Sequence, residues 1–185
     1  MKAFKTIVLA GCMMAGFAAA AQAADPYVDQ SAAATGLYLR ADAGWSFLNW
    51  TGGTLSNDNA PTIGGGVGYR FNDNLRADIR GDWAGNYNVA PGSDMSISSV
   101  LGNVYLDWPT GSAFTPYIGA GAGYGWADIK GMPDKDGFAA ALMAGVAVDI
   151  TQNLAVDVGY RMRDVMAKGA DPLEHQVTAG LRFSF

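Results

Sequence analysis

From Gly36 to Phe185 the chain sets apolar or aromatic residues at alternate positions in eight successive runs, and no other feature restricts its folding as much. Leu37–Phe47 places Leu37, Leu39, Ala41, Ala43, Trp45 and Phe47 on one face, with Arg40, Asp42 and Ser46 on the other. Thr62–Phe71 sets Ile63, Val67, Tyr69 and Phe71 against Gly64, Gly66, Gly68 and Arg70. Leu75–Trp83 sets Leu75, Ala77, Ile79 and Trp83 against Arg76, Asp78, Arg80 and Asp82. Ile97–Trp108 carries Val100, Val104, Leu106 and Trp108 opposite Ser99, Asn103 and Asp107. Thr115–Trp126 carries Ile118, Ala120, Ala122, Tyr124 and Trp126 opposite a glycine row, Gly119, Gly121, Gly123 and Gly125. Phe138–Ile150 is the least polar run, with Asp149 its only charge, and Leu154–Met162 sets Leu154, Val156, Val158 and Tyr160 against Asp157 and Arg161. The last run, His175–Phe185, alternates Val177, Ala179, Leu181, Phe183 and Phe185 with polar residues that include Arg182. A side-chain period of two belongs to a strand with one apolar and one polar face. The runs, about 9–13 residues each, exceed the roughly 5–6 of soluble sheets and match strands that cross a bilayer.

The connections alternate in length. Asn72-Asp73-Asn74, Pro109–Phe114 and Thr151-Gln152-Asn153 are short, whereas the segments around 48–61, 84–96, 127–137 and 163–174 are long and rich in Gly, Asn and Asp. Tight turns at one end and long loops at the other are the plan of a barrel that crosses the outer membrane. Phe71–Ile79 (FNDNLRADI) is echoed by Ile150–Val158 (ITQNLAVDV), which reads as one hairpin design used twice.

Alternation alone does not say which face is inside, since a soluble barrel would turn its apolar face inward. The aromatics decide. With the first strand running upward, Trp45, Phe47, Trp83, Tyr124, Trp126, Phe138 and Tyr160 fall at the loop end of the apolar face. Tyr69, Phe71, Trp108, Phe183 and Phe185 fall at the turn end, and small or aliphatic residues fill the middle. Two aromatic girdles around an aliphatic band are what the two bilayer interfaces select. The opposite face carries Arg40, Arg70, Arg76, Arg80, Arg161 and Arg182 with Asp42, Asp78, Asp82, Asp107, Asp149 and Asp157, a balanced set. Balance suits a narrow lumen, where a buried charge without a partner is costly. The inward glycines of the second and fifth runs are expected to leave room for long Arg side chains from neighbouring strands. The fold predicted is all-β, an eight-stranded antiparallel up-and-down transmembrane barrel over residues 36–185.

Residues 1–23 read as a secretory signal peptide, with Lys2 and Lys5, an apolar run, and the cleavage site Ala21-Gln22-Ala23. Leu9-Ala10-Gly11-Cys12 offers a lipoprotein alternative, but cleavage there would leave a second apolar segment on the mature chain. Loss of Cys12 with the leader would leave no thiol for disulfide or metal chemistry. Residues 24–35 read as a flexible periplasmic arm. The formal net charge of -5 argues against a nucleic-acid partner.

Together the leader, the strand Tyr117-Ile118-Gly119-Ala120-Gly121-Ala122-Gly123-Tyr124 and the terminal Arg182-Phe183-Ser184-Phe185 give a recognisable signature. On these the chain resembles the small eight-stranded outer-membrane barrels of Gram-negative bacteria, the opacity-type and OmpA-transmembrane-domain-like surface antigens. The resemblance implies a monomer in the outer membrane, among its lipids and lipopolysaccharide. It also implies that Val177, Ala179, Leu181, Phe183 and Phe185 form the signal read by the barrel assembly machinery. The peptidoglycan-binding domain that some relatives append after the eighth strand is not expected here.

No catalytic, cofactor or metal site is expected. Gly119–Gly123 lacks the helix that a nucleotide-binding glycine loop requires, because Tyr124-Gly125-Trp126 continues the alternation. His175 is the only histidine and has Val177 where one lipid-modifying relative of this fold carries a serine. The long connections hold Asp58, Asp94, Asp128, Asp134, Asp136, Asp164, Asp171 and Glu174 against Lys130, Lys135, Arg163 and Lys168. The expectation is a non-catalytic surface protein with a binding or adhesion role through acidic loops. The competing readings are a lipid-modifying enzyme, a narrow solute pore and a soluble ligand-binding barrel.

Overall fold

The computed structural model describes residues 35–50, 58–90, 93–130, 135–166 and 172–185. The predicted leader and the arm up to residue 34 lie outside the described residues. The strands are β1 (Gly36–Trp50), β2 (Asp58–Arg70), β3 (Leu75–Ala90), β4 (Ser93–Asp107), β5 (Phe114–Ile129), β6 (Lys135–Asp149), β7 (Leu154–Met166) and β8 (Pro172–Ser184). Each pairs antiparallel with its neighbour, and β8 returns to β1 with Leu39 opposite Phe183 and Trp45 opposite Val177, closing the barrel. Closure satisfies the backbone of every strand without water, which a chain crossing hydrocarbon needs.

The turns explain the repeated hairpin. Asn72 Oδ1 accepts the amides of Asn74 and Leu75, each at 2.9 Å, and Thr151 Oγ1 accepts those of Asn153 and Leu154 at 3.3 and 3.0 Å. Asn74 Nδ2 then donates to the Asp107 carbonyl at 3.0 Å, as Asn153 Nδ2 does to that of Ser184 at 2.8 Å. Thus the asparagine shared by FNDNLRADI and ITQNLAVDV ties each tight turn to the next strand around the barrel. The third turn holds Gly111 at φ +73°, a left-handed conformation that glycine adopts without strain.

The faces follow the alternation. Leu39, Val67, Ile79, Val104, Ile118, Leu142 and Leu181 are exposed, while Arg76, Asp78, Arg80, Asp82, Asp107 and Arg161 are buried. The strands run further toward the loop end than the alternation predicts, however. β3 reaches Ala90 rather than Trp83, β7 reaches Met166, and β8 starts at Pro172, so parts of the expected long connections are strand. The cause is an inversion of polarity near the upper girdle. There the inward positions become apolar, with Leu48, Ala60, Tyr87, Met95, Ile97 and Ala127 buried, and Asp94, Asp128 and Asp136 face out. Where a barrel leaves the bilayer its outer face meets water, and a core of soluble type is favoured. The ladder continues while the membrane pattern stops.

Candidate functional site

The polar face of the strands converges on the lumen. Glycine supplies the space at two places. A Cβ on Gly64 would lie 2.4 Å from Asp82 Oδ1 and 2.8 Å from Arg80 Nη2, so β2 clears room for the Arg80 side chain. The β5 glycines make room mainly for other groups. A Cβ on Gly119 would meet the Tyr105 ring at 2.5 Å, and one on Gly121 would meet Asn103 Oδ1 at 2.0 Å.

Within this space the charges form two groups. The central one is a chain. Arg40 lies 3.3 Å from Asp78 and 3.5 Å from Asp42, and Asp42 also accepts from Arg80 Nη2. Arg80 Nε donates to Asp82 at 2.6 Å, and Asp82 lies 2.6 Å from Arg161 Nη1. Asp78 is a hub, accepting from Tyr38 Oη at 3.1 Å, Asn103 Nδ2 at 2.7 Å and Tyr105 Oη at 3.4 Å. Toward the turn end Asp107 takes Arg76 Nε at 3.0 Å and Arg70 at 3.5 Å, while Asp157 pairs with Arg182 at 3.4 Å. The Arg76 guanidinium stands 4.0 Å from the Tyr105 ring centre and 4.8 Å from that of Tyr117, where the ring faces attract its charge. Of the charges that parity assigns to this face, Arg40, Asp42, Arg70, Arg76, Asp78, Arg80, Asp82, Asp107, Asp157, Arg161 and Arg182 are buried, and Asp149 is half-buried.

A further buried pair lies where the sequence pattern suggests loop. Arg163 and Glu174 are fully buried, with Nε to Oε2 at 2.6 Å. Glu174 Oε1 also accepts from Tyr87 Oη at 2.8 Å and Ser46 Oγ at 3.1 Å, and Arg163 Nη1 donates to Ser99 at 2.6 Å. Five strands are tied together by this island. Its signal was present in the sequence: Arg163 stands two positions after Arg161, and Glu174 two before Gln176, so both keep the inward parity. Beside this island and above the central chain of charges, Leu48, Tyr87, Met95, Ile97 and Val165 belong to one buried apolar cluster, which the alternation does not predict.

On the outer surface Trp45, Phe47, Tyr69, Phe71, Trp83, Trp108, Tyr124 and Phe138 are exposed, whereas Trp126 and Tyr160 are half-buried. Trp45 Nε1 donates to Asn59 Oδ1 at 2.9 Å, and the Tyr124 hydroxyl meets Asp136, so rings at the upper girdle have polar partners at hand. Val177, Leu181, Phe183 and Phe185 point outward with Ala179 between them, and the Phe183 and Phe185 rings pack edge to face at 5.3 Å. His175 faces outward too. Its Nδ1 lies 2.5 Å from Tyr160 Oη, and the two rings stack.

The family described as outer membrane protein beta-barrel domain matches residues 9–185. An uncharacterized protein of Brucella abortus is 31% identical over 250 aligned positions that take in 96% of this chain and 88% of that one. A Rickettsia prowazekii protein provisionally named an adhesin is 27% identical over 79% of this chain and 86% of its own. Among solved structures, Neisserial surface protein A superposes with a TM-score of 0.72 at 24% identity, over 82% of this chain and 98% of that chain. The attachment invasion locus protein of Yersinia pestis gives 0.56 at 17% identity, over 81% and 100%. At these identities the structural likeness is one of fold.

Proposed function

The chain belongs to the outer membrane protein β-barrel family, and from that premise we propose that it is a non-catalytic surface protein whose loop end is its working part. In this reading the interior is a filled core and carries no solute. The observation that carries the proposal is the continuation of the strands past the upper girdle, with an apolar core of their own, which holds the loops on a rigid stem above the bilayer. A binding surface held on rigid elements loses less freedom on engaging a partner. The names of the Rickettsia relative and of the Yersinia neighbour support attachment as the type of role.

Charge narrows the partner. Apart from the buried Arg163 and Glu174, the sequence of the long connections holds Asp58, Asp94, Asp128, Asp134, Asp136, Asp164 and Asp171 against Lys130, Lys135 and Lys168. The Yersinia protein has been crystallised with the heparin analogue sucrose octasulfate. An acidic loop end suits such a polyanion poorly and suits a basic surface or a cation-bridged one. The catalytic alternative is weakened because His175 has the Tyr160 hydroxyl as its neighbour and Val177 two positions on. The test is expression on cells that lack other adhesins, with retention measured on basic and on sulfated matrices. Retention on the basic matrix that falls when Asp94, Asp128 and Asp136 become Asn supports the proposal. No retention above control, or lipid hydrolysis lost on His175→Ala, contradicts it.

A further inference from the structure

We propose that the seal against ions in this barrel is the apolar collar at its outer end, and that the charge-paired network beneath is not the barrier. The inference rests on the reading of the interior as a closed core and locates where closure resides. Leu48 on β1, Tyr87 on β3, Met95 and Ile97 on β4 and Val165 on β7 are fully buried and belong to one cluster that spans the lumen. Their alternate neighbours along the strands, Asp94 and Ser96 among them, point away from it. An ion arriving from outside would have to shed its water against these side chains, which is how apolar constrictions block conduction. Their only hydroxyl, that of Tyr87, is committed to Glu174 at 2.8 Å, with Glu174 in turn held by Arg163.

The network below is different in kind. Its carboxylates, guanidinium groups and hydroxyls are hydrogen-bonding groups, and Arg76 Nη1 and Nη2 have no hydrogen-bond partner among the described residues. Such groups substitute for hydration rather than oppose it. Removing one charge there enlarges a polar space under a lid that stays shut, while a polar gap in the collar joins that space to the outside.

The experiment uses the full chain, purified and reconstituted in planar bilayers and in liposomes. Wild type, Arg80→Ala and the pair Leu48→Ser with Ile97→Ser are compared, with Ile97→Asn as a second collar variant that keeps the number of side-chain heavy atoms. Faster migration of the unheated protein on a gel establishes that each variant is folded. Single-channel recording is expected to show opening events for the collar variants and none for Arg80→Ala. In a Cys12→Ser background, Met143→Cys places a thiol beside Tyr105 and Tyr117 in the lumen. A small charged thiol reagent added outside is expected to label it at least about tenfold faster when the collar is opened, with no change on Arg80→Ala. Conduction by Arg80→Ala with the collar intact, or silence and unchanged labelling in folded collar variants, overturns the inference. Conduction by the wild type overturns instead the closed-core reading on which it rests.

Discussion

Arg80, like Arg40, bridges two buried carboxylates of the lumen. It serves Asp42 and Asp82 at once, and its removal leaves two buried carboxylates short of a cation. Breaking a buried pair by removing one partner costs about 3–5 kcal/mol, whereas a surface charge away from such features matters within about 0.5 kcal/mol. Urea unfolding in detergent is therefore expected to separate Arg80→Ala clearly from Lys130→Ala, an exposed residue. Equal stability for the two variants would show that the lumen charges are solvated. The outer island gives a sharper case. Glu174→Gln leaves Arg163 buried without its counter-ion and is expected to destabilise strongly. The double change Arg163→Met with Glu174→Leu is expected to recover most of that loss, because two apolar side chains extend the collar next to them. A double variant no better than the single one would mean the pair is held for reasons other than charge compensation.

At the scale of the strands, the membrane part was legible because lipid outside and charge inside leave opposite residues at alternate positions. Leu75–Trp83 shows it plainly: Arg76, Asp78, Arg80 and Asp82 are all buried, and Ile79 and Trp83 are exposed. The pattern failed where β3 and β4 rise above the girdle. Met95 and Ile97 are apolar at the inward parity of β4, and on β3 a register shift between Gly85 and Tyr87 turns Tyr87 inward from the parity that faces out below, so the apolar alternation appears to end. Arg163 and Glu174 were read as loop for the same reason, although both keep the parity of Arg161 and Gln176. The pairing partners lay beyond the sequence altogether. Which carboxylate meets which arginine depends on the register across the barrel, not on spacing along a strand. Glycine placement is a strand-level property that can be checked. Gly119→Val would push branched carbons into the Tyr105 ring and disturb the Asp78 hub, and overpacking of this kind typically costs about 1–3 kcal/mol. Gly81→Val, on the outer face with open space around it, is expected to be tolerated. If both are equally tolerated in the same unfolding assay, the lumen is less tightly filled than described.

For the whole molecule, the closed ladder and the outward aliphatic band make one claim: apolar side chains between the girdles meet lipid, and apolar side chains of the collar meet one another. A closed barrel of this kind is expected to resist salt and alkaline extraction from membranes and to run faster on a gel before boiling than after. Recovery in the soluble fraction without a heat shift would remove the membrane reading. The face assignment itself is tested most directly by nuclear magnetic resonance of the protein in lipid nanodiscs, through magnetisation transfer between side-chain methyl groups and acyl-chain protons. Val67, Ile79, Val104, Ile118 and Leu142, all exposed on the outer face, are predicted to show transfer from lipid. Leu48, Ile97, Leu101 and Val165, all buried in the barrel interior, are predicted to show none. Lipid contact at Ile97 and Val165, with Ile79 and Leu142 shielded, would contradict the account at its centre.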